Sequence, residues 1–411
     1  MDVFVARQPI FDRFCRTYGY ELPFRSGWDN RFDSTDPARA SVTVLATVFN
    51  VLGTERITGG KRAFVNFTRE TLLEGFATIL PSEQLVVELL EDIPPDGEVL
   101  EACRALRKRG HLIALDDVVW GAWSEPLLEV ADIVKVDFAL NGPRERGLLV
   151  TELRPLGVKL LAEKVETWAD VAQALRIGYH YLQGYFFSEP EILAGKDIEA
   201  SKRGRLQLLH EINRADTDLV RLEQIIKREV AFTLKLLTQL NRTAFGFSQR
   251  IVSVQQALLL LGERGVQKWA SMVALSDIGR DKPFELVLGS VVRARFCECL
   301  TGLAGMADRA QDGFFLGLFS MLDALLDQPI REIVARLPLA EDVCAALLGD
   351  VNRLGRLYRL AVAYERGDWP VMLESCATLG VDSAALPELY LGSVEWGHST
   401  AVPDQARETA R

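Results

Sequence analysis

The chain of 411 residues is short of histidine, with four in all: His111, His180, His210 and His398, far apart in sequence. That scarcity argues against a histidine-built transition-metal cluster. Its six cysteines, Cys15, Cys103, Cys297, Cys299, Cys344 and Cys376, are scattered. They read as reduced thiols, and the C-x-C at Cys297 and Cys299 as structural. No uncharged apolar run approaches the roughly 18 residues of a membrane span. The opening MDVFVARQPIFDR is interrupted by Arg7, Asp12 and Arg13, so no signal-peptide core is expected, no membrane association either, and the chain is placed in the cytoplasm. Positive charge is also short. A formal net charge of −10 argues against direct nucleic-acid binding, although divalent metals held by carboxylates can invert the local field for a small phosphate ligand.

With 48% hydrophobic and 25% charged residues, the composition is that of a globular protein, and the length suggests two domains. Between about residues 60 and 190 a pattern recurs: a short apolar run, a polar residue at its end, then a helix-like stretch. The runs are Ala63–Val65 before Asn66, Leu85–Val87 before Glu88, and Leu112–Leu115 before Asp116 and Asp117. Ile133–Val134 before Lys135, Leu160–Ala162 before Glu163, and Tyr181–Leu182 before Gln183 complete the series. Apolar runs of this kind suit strands buried on both faces, and alternation with helices favours a mostly parallel sheet. In a closed α/β barrel the residues at the C-terminal strand ends converge on one mouth. Beyond Pro190 the periodicity becomes helical, as in Val230, Leu234, Leu237 and Leu240. The expected division is a barrel over residues 1–190, a linker or connecting helix over 191–205, an all-α domain over 206–396 and a polar tail over 397–411.

The first half carries Glu21, Asn66, Glu88, Glu91, Asp116, Asp117, Lys135, Asp137, Glu163, Glu166 and Gln183, most of them at strand ends. Any one acid there could simply cap a following helix. Taken together, hard oxygen donors with one amide suit Mg²⁺ or Mn²⁺, and adjacent aspartates could bridge two such ions. Two metals can clamp a phosphodiester during in-line displacement, with a lysine holding the nucleophilic water or the developing charge. Paired carboxylates in a barrel also fit glycoside hydrolysis, a reading that leaves Asn66, Lys135 and most of the acids without a task. His111 and His180 read as structural, and Phe314, Phe315, Leu318 and Phe319 as core at helical spacing. Trp120 and Trp123 lie in a loop where they could stack on a base or cover an interface.

From Arg7-Gln8-Pro9-Ile10 to Gly184-Tyr185-Phe186-Phe187-Ser188-Glu189-Pro190 the first half resembles the EAL domain family of cyclic di-GMP phosphodiesterases. The resemblance implies a TIM-like barrel that hydrolyses cyclic di-GMP to linear pGpG with Mg²⁺ or Mn²⁺, and a homodimer. Tyr20-Glu21-Leu22-Pro23-Phe24-Arg25 is similar to the naming signature, with ELP for EAL; it implies a metal ligand at Glu21 and a substrate contact at Arg25. Asn66, Glu88, Asp116 and Asp117 match the other metal-binding positions, with Glu91 the second acid of an E-x-x-E motif. Lys135-Val136-Asp137 is similar to K-I-D, and Ala162-Glu163-Lys164-Val165-Glu166 to A-E-G-V-E. These imply a catalytic lysine, a general base or ligand at Glu163, and support from Asp137 and Glu166. Gln183 opens the closing substrate-side motif. Two departures stand out: Val118-Val119-Trp120-Gly121 replaces the family's F-G-T-G or F-G-A-G loop, and Lys164 replaces a glycine. The altered loop keeps open a second reading, a receptor or scaffold that binds cyclic di-GMP without turnover.

The second half resembles the HDOD domain family, through Leu236 to Gly246 with Asn241 at its centre, and through Ile251 to Gly262. The combination is typical of the two-domain EAL-HDOD proteins called YuxH-like. Where an active HD-type hydrolase would read G-L-L-H-D, this chain has Gly317-Leu318-Phe319-Ser320-Met321. The resemblance therefore implies a regulatory module that binds a protein partner, without HD metal chemistry.

Overall fold

Each of the six apolar runs forms a strand, and two more strands precede them in the same sheet. The computed structural model describes residues 3–26, 54–119, 125–190, 198–214, 216–228, 230–241 and 251–401. Strands β1 (Val3–Val5) and β4 (Phe24–Ser26) pair with each other; β2 (Gln8–Asp12), β3 (Thr17–Glu21), β5 (Arg62–Phe67), β6 (Leu85–Leu89), β7 (Leu112–Leu115), β8 (Ile133–Asp137), β9 (Lys159–Glu163) and β10 (Tyr181–Gln183) close into a barrel in the order β10-β2-β3-β5-β6-β7-β8-β9. Neighbours are parallel except at β2, which runs against both β10 and β3.

The barrel follows from the two-residue period of a strand, which sends alternate side chains inward. Ile10, Phe64, Val86, Ala114, Ile133, Leu161 and Tyr181 form one buried apolar cluster. Two residues further along the parallel strands come Asn66, Glu88, Asp116, Lys135, Glu163 and Gln183, and on the reversed strand β2 the corresponding step back from Ile10 gives Gln8. An apolar floor thus lies beneath a polar layer at the mouth. The register agrees, pairing Asn66 with Glu88 and Gln8 with Glu21.

Compactness divides the chain into two units, one running to Glu189 and including Tyr364–Asp368 and Ala384–Leu391, the other containing the rest. In the second unit the motif residues have local physical tasks. Asn241 follows the helix Val230–Leu240; its Nδ2 donates to the carbonyls of Leu237 (2.7 Å) and Ile251 (2.8 Å), and its Oδ1 accepts from Ile251 N–H at 2.8 Å. Ser253 caps the helix Val254–Ile278, and Gly262 takes a left-handed φ of 66° at a kink within it, a conformation cheap only for glycine. Arg242–Gly246 of the motif lies outside the described residues, as do 191–197 of the expected linker and 402–411 of the expected tail. The buried stripe of Val230–Leu240 is Phe232, Leu236 and Leu240, whereas Leu234 is 61% exposed. Phe314, Phe315, Leu318 and Phe319 are all buried on the helix Ala310–Phe319. Among the described residues no helix is long and apolar enough to cross a membrane.

Candidate metal centre and active site

The polar layer is organised around Lys135. Its side chain is fully buried, and Nζ lies 3.0 Å from Glu21 Oε2, 2.9 Å from Glu88 Oε1, 2.7 Å from Asp116 Oδ1 and 2.9 Å from Glu163 Oε1. An ammonium has three protons, so it cannot donate well to all four carboxylates. The buried oxygens of the layer without a well-formed hydrogen bond are Asn66 Oδ1, both Glu88 oxygens, Asp116 Oδ1, Glu163 Oε2 and Gln183 Oε1. The close approaches of Glu88 Oε1 and Asp116 Oδ1 to Nζ are therefore ion pairs of poor hydrogen-bond geometry. Gln183 Nε2 donates to Glu21 Oε2 at 2.6 Å and to Gln8 Oε1 at 3.0 Å, fixing one wall of the mouth.

The charges do not balance. Burial pushes the Glu163 carboxyl up to about 8 and holds Glu88 well above the ordinary range; it raises Asp116 as well, and in each case Lys135 opposes the shift without overcoming it. Burial also acts upward on Glu21, but Lys135, Gln183 and Lys164 together outweigh it and its pKa falls. For Lys135, burial favours the neutral amine, yet the surrounding carboxylates prevail and hold it well above its usual value. A largely buried layer carrying this much negative charge needs added protons or added cations.

Among the described residues no three acids or histidines already converge as a metal cage, because the carboxylates converge on the lysine instead. The donor set nevertheless fits a hard divalent cation. It offers oxygen ligands, several are buried without a donor, and the local charge is in excess. One consequence can be measured. A carboxyl whose folded pKa is raised binds a proton in the folded state that it has lost in the unfolded state, so stability falls as pH rises through that window. For Glu163 the window runs from its ordinary 4.5 to about 8. Urea midpoints recorded in EDTA should therefore decrease across it, and saturating Mn²⁺ should flatten the decline; an unchanged midpoint would place these carboxyls in a more solvated setting.

The remaining sequence candidates separate. Asp137 closes a turn: its Oδ1 accepts from the N–H groups of Ala139 (2.6 Å) and Leu140 (3.0 Å), while Oδ2 contacts Lys164 Nζ. Asp117, at φ 46°, directs Oδ1 to 3.7 Å from the same ammonium. Glu91 and Glu166 are exposed and have no hydrogen bond or ion pair to the cluster. Arg25 lies on β4, its side chain outside the described residues, as are Trp120, Gly121 and Trp123. The part of the altered loop that is described is anchored: Val118 N–H donates to the Lys135 carbonyl at 3.0 Å. Gln8 and Lys164 were missing from the sequence-derived site. The alternation in β2 could have identified Gln8, since it stands two residues from the interior Ile10. Gly184 explains the closing motif, because a Cβ there would meet the Val165 carbonyl oxygen at 2.0 Å, and only glycine lets β10 run past the end of β9.

The EAL domain family matches residues 60–190, and the HDOD domain family matches residues 204–326. The chain is 35% identical to the uncharacterized protein YuxH of Bacillus subtilis, over 97% of this chain and 99% of that protein. It is 36% identical to the cyclic di-GMP phosphodiesterase CdgJ of Vibrio cholerae, over 96% of this chain and 92% of that protein. Among solved structures, BlrP1 of Klebsiella pneumoniae in a calcium/cyclic di-GMP complex is 22% identical over 46% of this chain and 56% of that chain, with a TM-score of 0.40. With both domains matched in order and relatives aligned along nearly their full lengths, the chain belongs to the family of proteins that join an EAL domain to an HDOD domain.

Proposed function

We propose that the barrel hydrolyses cyclic di-GMP to linear pGpG, with Mg²⁺ or Mn²⁺ held by Glu21, Asn66, Glu88, Asp116 and Asp117. The observation that carries this reading is the cluster of four carboxylates around the single Lys135 ammonium at the mouth of the barrel, with more oxygens than its three protons can serve. The relative CdgJ, matched over almost the whole chain, is named for the same activity.

A divalent cation, when bound, supplies the positive charge that polarises a phosphoryl group and makes water more acidic. The protein's own groups then divide the work. Water attacks phosphorus and gives up a proton, the bond from phosphorus to the 3′ oxygen breaks, that oxygen takes a proton from solvent to leave as a hydroxyl, and the ring opens to a 5′-phosphorylated dinucleotide. Glu163, held beside Lys135 at the end of β9, is assigned to accept the proton lost by the attacking water in its deprotonated form. Lys135 holds Glu163, Glu88, Asp116 and Glu21 in register and steadies developing negative charge. Arg25 and Gln183 are assigned to the substrate side. Asp137 keeps the turn after β8. The helical unit is assigned regulation or binding of a protein partner, supported by the exposed apolar side chains Val252, Leu259 and Leu260.

Chromatography of cyclic di-GMP incubated with the full chain and Mn²⁺ or Mg²⁺ tests the assignment, beside an Asp116→Ala control and a binding titration in Ca²⁺. Formation of pGpG that the control abolishes supports hydrolysis. Binding without product favours the receptor, the reading that the altered Val118–Gly121 loop motivates. Neither binding nor product removes both.

A further inference from the structure

Two late segments of the chain, Tyr364–Asp368 and Ala384–Leu391, belong to the compact unit that contains the barrel, although they lie beyond the residues matched by either family. Their buried tyrosines, Tyr364 and Tyr390, pack ring against ring with centroids 5.0 Å apart, and Glu388 reaches Arg56 at 3.5 Å. Arg366, the exposed last residue of the helix Arg353–Arg366, holds its guanidinium carbon 5.0 Å from the centroid of the Tyr185 ring. A cation at a helix C-terminus is ordinary. This one sits over a ring whose hydroxyl touches the polar layer of the mouth.

That hydroxyl decides how two amides point. Gln183 Nε2 spends its two protons on Glu21 Oε2 at 2.6 Å and on Gln8 Oε1 at 3.0 Å. Gln8 must therefore turn its carbonyl to Gln183 and its own Nε2 away, where the Tyr185 hydroxyl accepts it at 3.4 Å. A flipped Gln8 would set one NH₂ group against another and loosen the grip of Gln183 on Glu21. Outer hydrogen bonds of this kind orient the carboxylates that hold a metal. We infer that Tyr185 and Arg366 are positioning residues for the Glu21 carboxylate: Arg366 seats the Tyr185 ring, the Tyr185 hydroxyl sets the Gln8 amide, and Gln8 sets Gln183 on Glu21. The inference rests on the reading of the mouth as a divalent-cation site, and it extends that site to a segment from the other end of the sequence.

The test is the dissociation constant of the full chain for Mn²⁺, with free ion counted by electron paramagnetic resonance, a readout that needs no turnover. Tyr185→Phe, which keeps the ring and loses the hydroxyl, should weaken binding roughly 2–10-fold, the weight of one neutral hydrogen bond. Arg366→Met should weaken it roughly 2–5-fold, the weight of an exposed cation–π contact, and Arg366→Lys should keep most of the affinity. Removing a positive charge near a cation site would by itself tighten Mn²⁺, so a loss of affinity marks positioning and not the field of the guanidinium. In a Tyr185→Leu background Arg366→Met should add nothing, because the guanidinium acts through the ring. Unchanged or tighter binding in Tyr185→Phe and Arg366→Met, or an equal loss from Arg366→Met with and without the ring, would overturn the inference and leave the cation site standing. A wild-type protein that binds no Mn²⁺ would overturn the cation-site reading itself, and the inference with it.

Discussion

Replacing Lys135 with methionine is expected to lower the unfolding free energy of the metal-free barrel by about 3–5 kcal/mol, the usual cost of removing one partner from a buried charge pair. The methionine fills similar space, so the loss is electrostatic. Glu21, Glu88, Asp116 and Glu163 would then face one another with their shared cation gone. Protonation would relieve part of the repulsion, so the deficit relative to the wild type should shrink in acid. Urea denaturation with and without Mn²⁺ measures both effects. The variant should recover more stability from Mn²⁺ than the wild type does, and equal recovery would mean that the ion and the lysine act on different carboxylates. Turnover should fall by roughly 10²–10³-fold even where the fold survives, because a group that stabilises developing charge is missing.

The second large effect belongs to Glu163→Gln. The amide preserves the size of the side chain and can still meet Lys135, but it cannot accept a proton from water. Formation of pGpG should drop by roughly 10²–10⁴-fold, the usual range for losing a positioned general base. The affinity for cyclic di-GMP in Ca²⁺ should stay near that of the wild type. The wild-type rate should also rise as pH increases through the range in which the Glu163 carboxyl deprotonates, a rise that the variant should lack. A variant that loses binding along with turnover would show Glu163 to be a ligand-holding residue rather than the base.

The strands were legible where both faces are buried. From β5 to β10 no strict alternation of apolar and polar residues is needed, because a short apolar run ending in a polar residue marks each strand. Strands β2 and β3 were harder to see. Their sequences, QPIFD and TYGYE, mix polar residues with one proline and one glycine, and only the closed sheet shows that they complete the ring.

At the site, sequence position predicted well which residues stand at strand ends and poorly which of them turn inward. Glu88 is within β6 and fully buried, whereas Glu91, three residues later, has left the strand and is exposed to solvent. Asp137 ends β8 as expected, but its carboxylate is taken up by the turn and by Lys164. Spacing carries no record of that turn geometry. The resemblance flagged Lys164 as a departure, but its partners come from the ends of two other strands, at Asp117 and Asp137, and only the fold brings these together.

The reversed direction of β2 has a mechanical consequence. In a wholly parallel barrel every strand begins at the face remote from the mouth, so an upstream segment must transmit its influence along the length of a strand. Here β2 begins at the mouth, with Gln8 already bonded to Gln183 and paired in register with Glu21. A displacement of the buried stretch Ala6–Arg7 just ahead of Gln8 therefore reaches the ligand layer within one residue.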